Sequence, residues 1–511
     1  MTYDDAALTR VLGVIVPPVT ALVLGISRSL HVPLWRDEYA TAMHAELSPP
    51  DLARSISGGD AVQAPYYLLI HLLSPVIGLD TGMRVPSLLA FAATAAIVSA
   101  LGMRWWGAAP GAAAGLFFSL DGAAVTAGAT ARPYALMVMF VALAIFAADS
   151  ADRRSRWKWA VYSAAAVLAV AMHLMSIVAL LCIGLLALAR RRASLMRWIT
   201  WTVPALAVGI ALALIGGSQQ DQIAWLPSPD VRSGVSALAQ VAGVSVYRAV
   251  VWDALGLIVL VAAAAATSVT IGRAAGAKAP RLRPVLFASA LVFAAPAALF
   301  VLSWIATPVY TARYLSWVSL GAALIVSGAV FAATARDRIP SAIAGICAGV
   351  LLAGAALVAL QQFAAPPGLY DDMPSLVGEL DEDVQVGDIL AVIQRNPHSA
   401  VAYAVAQTTE DHAWAADVVD RLPQSAQPTV ELRSITGTGP LELEGLSLAR
   451  PAEREATVWI ISLDSPSQVD IAQIGEALMC TVHASGADPT FFGGIRLYHV
   501  GCGRDRLKTS P

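Results

Sequence analysis

Runs of about 20 apolar residues recur along roughly the first 360 positions, each long enough to cross a bilayer as a helix. Eleven runs can be counted, starting near residues 8, 85, 108, 133, 158, 174, 198, 247, 285, 315 and 340. The pattern predicts a polytopic α-helical membrane protein. The first run is about twice the length of a signal-peptide core and lacks a convincing cleavage site, so it is expected to stay as a helix.

Two stretches break the pattern. The loop from His31 to Arg84 contains an amphipathic segment, Leu47 to Ile56, opened by Ser48-Pro49-Pro50-Asp51. It also holds APYYLLIHLLSPVIGL, residues 64–79, which is apolar but interrupted by Pro75. At this length it is short for a span and reads as interfacial or re-entrant. Pro366-Pro367-Gly368 marks the second break, after which Asp and Glu become frequent. Strands are expected at Val386 to Ile393, Thr457 to Ser462 and Ile495 to Val500, and helices at Ser399 to Gln407 and Val469 to Met479. That alternation predicts a small α/β domain over residues 362–511, beside a membrane domain over 1–361.

Composition agrees with this division. The chain has 511 residues, 57% hydrophobic and 14% charged, against about 25% charged in soluble proteins. A net charge of -3 gives no electrostatic reason for a nucleic-acid partner. Orientation follows from Lys and Arg in the short loops. With the N-terminus inside, Arg10 and the loops near 104, 153–158, 190–197, 273–283 and 336–338 hold sixteen Lys and Arg. The outer loops hold eight: Arg28, Arg36, Arg54, Arg84, Arg132, Arg232, Arg248 and Arg313. Eleven spans then put the C-terminal domain outside.

Candidate chemistry centres on Asp37 and Glu38, just past the first helix. Carboxylates at that depth are costly unless they cap a solvated loop or line a wet functional cavity. In a cavity, one would serve as general base and the other would orient a partner, because adjacent residues point in different directions. Arg132 and Arg313 fall at the same face as Asp37, where each either snorkels to headgroups or grips a lipid phosphate through its guanidinium fork. Tyr310 and Tyr314 flank Arg313, and His173, in a short turn between spans, could donate to the same phosphate. Gln63, Tyr66 and His71 could line an acceptor site, and Trp225 could stack on a sugar or simply anchor in the interface. Cys182 and Cys347 read as packing, while Cys480 and Cys502 share the outer domain, where a disulfide is permitted; the last strand is expected to return beside the segment after Cys480. No CxxC, HExxH, Walker or Rossmann phosphate loop is present.

Several pieces together resemble the GT-C superfamily of membrane glycosyltransferases, above all the bacterial branch related to protein mannosyltransferases and lipid A aminoarabinose transferases. They are WRDEYATA after the first helix, APYYLLIHLL in the first loop, MRVPSLLAF opening the second span, TARPYALMVMF at the third-to-fourth turn, and ARYLSWV opening the tenth. They cover the first 150 residues well and the rest thinly. Two positions depart from the pattern: Thr130 stands where relatives often have an acid, and Gln63-Ala64-Pro65 where they often have His-Pro-Pro. The resemblance implies an inverting enzyme that takes a sugar, mannose, arabinose or similar, from a polyprenyl phosphate and passes it to an envelope glycan, lipid or protein. It places the base at Asp37, with Glu38 beside it. No nucleotide or redox cofactor is needed, and a divalent cation stays open without a ligand cluster to mark it. The rivals are a lipid-linked sugar transporter or flippase, and a non-catalytic envelope assembly protein. A transporter is expected to show repeats and broken helices with midplane charges, which the sequence does not display.

Overall fold

The computed structural model describes residues 3–364 apart from 59–60, 152–154, 191, 218–227, 247–248, 276–280, 307 and 336–337. Beyond 364 it describes 372–383, 389–393, 456–462, 481–483, 489–492 and 495–503. The chain divides into two compact units, residues 1–31 with 48–366, and residues 32–47 with 367–511. The helix that carries Asp37 and Glu38 thus groups with the C-terminal region.

In chain order, the helices are α1 (Tyr3–His31), α2 (Arg36–Glu46), α3 (Pro49–Gly58), α4 (Ala64–Ile77), α5 (Val85–Trp106) and α6 (Ala108–Leu120). Then come α7 (Gly122–Gly128), α8 (Tyr134–Ser150), α9 (Arg156–Met172), α10 (Ser176–Arg190), α11 (Arg192–Gly217) and α12 (Val231–Val241). The last six are α13 (Val250–Ala275), α14 (Leu282–Ser289), α15 (Ala295–Ile305), α16 (Val318–Ala333), α17 (Arg338–Ala364) and α18 (Met373–Asp383). A π-turn, Ala290–Ala294, joins α14 to α15 in one span.

Each of the eleven expected runs coincides with a helix or a broken helix. Among the described residues, six helical segments are long and apolar enough to cross a bilayer, and a seventh if α6 and α7 are taken as one bent span. The expected count of eleven and this count differ for a geometric reason. Helices α8, α9, α10 and α16 have 15 to 17 residues, about 22–26 Å at 1.5 Å per residue, against a hydrocarbon core of about 30 Å. Helix α4, with 14 residues, is shorter still. It exposes Leu68, Leu72 and Val76 at i, i+4 and i+8, an apolar stripe along one side.

The core of the first unit is built around α16, where the segment Val318–Ala329 is buried on every face. Polar side chains repair the backbone. Pro17 in α1 has no N–H for the Gly13 carbonyl, and Ser99 Oγ of α5 donates to that oxygen instead. Ser119 Oγ of α6 donates to Pro17 O at 2.7 Å. Gly111 lets α6 lie against Met103 and Ser99 of α5, where a Cβ would overlap backbone, as small residues do in membrane bundles.

In the second unit, β1 (Ile389–Ile393) runs parallel to β2 (Ala456–Ser462), which is antiparallel to β5 (Ile495–Gly503). Strands β3 (Thr481–His483) and β4 (Thr490–Phe492) both pair antiparallel with β5. Trp459, Ile460 and Ile461 are consecutive and all buried, so both faces of β2 are covered. Helix α18 buries Met373, Leu376, Val377 and Leu380, the i, i+3, i+4, i+7 stripe of a core-facing helix. The helices expected at 399–407 and 469–479 lie outside the described residues, as does Cys480. The strand that follows Cys480 does pair with β5, Val482 opposite Cys502.

Candidate functional site

Three turns of the first unit bring two arginines and a histidine together. The first lies between α7 and α8. Thr130 Oγ donates to Thr126 O, the Arg132 amide donates to Thr130 O, and Ser87 Oγ of α5 donates to Arg132 O at 3.2 Å. This tight turn holds Arg132 buried at 6% exposure, so its guanidinium does not reach out to solvent as a snorkelling side chain would.

The second is the α9–α10 turn. His173 is extended, with φ -161° and ψ 121°, and ends α9 by donating its amide to Ala169 O. The Met175 amide donates to His173 Nδ1 at 3.3 Å. An Nδ1 that accepts leaves the ring proton of the neutral form on Nε2. The third turn, Ala312–Leu315, is a 3-10 turn before α16, in which the Tyr314 amide donates to Thr311 O and Ser316 Oγ to Arg313 O.

The three turns meet at His173. Its ring lies 4.5 Å from that of Tyr314 and 5.7 Å from that of Tyr134, centroid to centroid. Burial, then Arg132 and Arg313 in that order, push its pKa down to about 3. Both charged groups acting on the imidazole are cations, so it is neutral at any physiological pH. Ser176 Oγ, at the start of α10, and Trp317 Nε1, one turn after Tyr314, are buried donors with no hydrogen-bond partner among the described residues. Two guanidinium groups acting on one neutral imidazole make a locus that suits an anion.

Tyr310 lies to the side of this group. Its hydroxyl donates to Gly234 O of α12 at 3.3 Å, and Phe300 stands edge-on to its ring at 5.3 Å. Burial raises its pKa to about 12. It therefore braces the Arg313 turn against α12. Sequence reading missed Tyr134, Ser176 and Trp317. Tyr134 had a signal, since it completes the ARPY motif, whereas Ser176 and Trp317 had none.

Asp37 and Glu38 occupy the first turn of α2, where negative charge is favoured by the helix dipole. Trp35 O accepts the amides of both Glu38 and Tyr39, and Thr41 Oγ donates to Asp37 O. Successive residues point about 100° apart on a helix, and the two acids differ accordingly: Glu38 is fully buried and Asp37 is half-buried.

The expected acceptor residues are not drawn together on one face. Gln63 precedes α4, Tyr66 is buried in its first turn, and His71 lies five residues on, about 140° round the helix. Trp225 lies outside the described residues. Among the described residues, no group of three or more His, Cys, Asp or Glu could hold a metal ion.

No family model matches the chain, and no curated protein matches it. Solved structures do. ArnT from Cupriavidus metallidurans bound to undecaprenyl phosphate is 12% identical, with a TM-score of 0.51 over 98% of this chain and 99% of that one. The apo state of the same protein is 14% identical, with a TM-score of 0.50 over 97% and 99%. Likeness at this identity is likeness of fold, and over nearly its whole length this chain has the fold of ArnT.

Proposed function

We propose that this chain is an inverting, polyprenyl-phosphate-sugar-dependent glycosyltransferase of the GT-C type. Its sugar is mannose, arabinose or a similar one, and its acceptor an envelope glycan, glycolipid or protein at the outer face of the cytoplasmic membrane. The observation that carries this reading is the gathering of Arg132, Arg313 and a neutral His173 from three separate turns, in a chain whose fold is that of a protein bound to undecaprenyl phosphate.

The chemistry divides between the two groups of residues. Asp37 accepts the proton of an acceptor hydroxyl, the oxygen attacks the anomeric carbon, and the bond from that carbon to the phosphate oxygen breaks. The electron pair stays on the departing lipid phosphate. Arg313 and Arg132 stabilise the charge that develops there, and His173 Nε2–H donates to the same oxygens without titrating. Tyr310 and Tyr314 hold the Arg313 turn. Glu38 orients Asp37 or the acceptor, with Gln63, Tyr66, His71 and Trp225 as acceptor-side candidates. Residues 362–511 form an extracytoplasmic domain, with the N-terminus inside.

The test is turnover of a polyprenyl-phosphate sugar by the full chain purified in detergent, read as release of free polyprenyl phosphate. Turnover is expected. Transport of the intact lipid-linked sugar in vesicles without its cleavage would establish the flippase instead. Neither activity, with the envelope lesion of a deletion strain rescued by an Asp37→Asn chain, would establish an assembly role.

A further inference from the structure

Asp121 has no part in the scheme above, yet it is fully buried at the break between α6 and α7, where the chain bends by 66°. Its Oδ1 accepts the Ala123 and Ala124 amides and so starts α7. Its Oδ2 is buried with no hydrogen-bond partner among the described residues, and so is Oε1 of Gln362. The two side chains belong to one locality. A methyl on Gly122, next to Asp121, would overlap Nε2 of the Gln362 amide. Gly243, held at φ +68°, lets the end of α12 approach so closely that a methyl there would stand 3.2 Å from Asp121 Oδ2.

The amides that open α7 face Oδ1, and the C-terminal ends of three helices lie nearby. Asp121 directly follows the last residue of α6, Gly243 lies two residues past the end of α12, and Gln362 two residues before the end of α17. Helix C-termini carry partial negative charge and last-turn carbonyls without intrahelical donors. Two buried acceptor oxygens, one from a carboxylate, thus lie in a locality where three helices end and one begins. A buried carboxylate oxygen without a donor is costly unless a cation or a proton compensates it. Broken helices in membranes use the same parts, unwound carbonyls and half-helix C-termini, to coordinate small cations.

We propose that the α6–α7 break is a monovalent-cation site fitted to sodium, with Asp121 Oδ2 and Gln362 Oε1 as side-chain ligands and last-turn carbonyls of α6, α12 and α17 around them. One carboxylate among otherwise neutral oxygens matches a single positive charge. Glycine at 122 and 243 keeps methyl groups out of the locality of these two side chains. The cation ties α7, which leads into the Arg132 turn, to α12, which backs the Arg313 turn. The proposal does not depend on the donor reading.

The test uses the full chain in detergent at constant ionic strength, with sodium chloride replaced by choline chloride. Sodium at about a hundred times its Kd should raise the thermal midpoint on the order of 3 °C. Asp121→Asn should lose that rise. Gln362→Leu changes a half-exposed side chain, should fold if Asp121→Asn does not, and should weaken sodium binding about tenfold. Equilibrium binding of radioactive sodium should saturate near one ion per chain in the wild type. Equal midpoints in both salts together with no bound sodium would overturn the proposal, and would mean that water or a proton fills the site. A midpoint raised by calcium or magnesium but not by sodium would overturn the monovalent assignment.

Discussion

His173 offers the most quantitative test of the anion locus. Its pKa is pushed from the ordinary 6.5 to about 3 by burial, Arg132 and Arg313. In the unfolded chain it returns to about 6.5. Above pH 7 both states are neutral and the group adds no pH dependence. As pH falls below 6.5 the unfolded chain takes up a proton that the folded chain refuses, so stability is lost progressively down to about pH 3. At pH 5 the gap from 6.5 is 1.5 units, about 2 kcal/mol at about 1.36 kcal/mol per unit. His173→Gln keeps a neutral donor and cannot titrate. Denaturant unfolding of the detergent-solubilised protein, followed by tryptophan fluorescence at pH 8, 6.5 and 5, isolates this contribution as wild type minus variant. The difference should move by about 2 kcal/mol against the wild type between pH 8 and 5. A difference that stays flat, or moves in favour of the wild type as pH falls, would refute the reasoning. The first would mean an ordinary imidazole, the second a protonated one held by a carboxylate.

Other expectations concern turnover and topology. Asp37→Asn should lower turnover by about 10² or more while leaving donor binding intact. Glu38→Gln should cost more stability than turnover, because its carboxylate is fully buried; the reverse pattern in the two variants would swap their roles. Arg313→Ala should weaken the donor by about 2 kcal/mol or more, with Arg313→Lys restoring only part, as titration calorimetry with a polyprenyl phosphate would read. A reporter active only in the cytoplasm, fused after Pro511, should be silent, and a bright signal would put the C-terminal domain inside. Cys480 and Cys502 should appear as one linked peptide in non-reducing mass spectrometry of the periplasmically exposed protein, and two free thiols there would rule the bridge out.

Periodicity alone determined much of this protein. Continuous apolar runs admit little besides helices in lipid, because every backbone group must be satisfied within the segment. The positions of α1, α5, α11, α13 and α17 could therefore be read directly. The stripe of α3 was legible from its 3.6 period, and strands β1, β2 and β5 from short apolar runs rich in β-branched residues; α18 was not read. Arg132, His173, Tyr314, Asp37 and Glu38 could each be marked, since polar groups near span ends stand out against an apolar background.

Their arrangement was decided by packing between elements far apart in the chain. That Arg132 and Arg313 both act on His173 depends on how α8, α10 and α16 meet, and no local pattern encodes a distance between turns 40 and 140 residues apart. The two acids looked alike until helix α2 gave them different faces. Asp121 went unread because the run from Ala108 to Gly128 has the composition of one span. Asp-Gly within it is a sound cap-and-break signal, but whether it bends a helix depends on what covers the break. Here the ends of α12 and α17 cover it, and those contacts exist only once the bundle has formed.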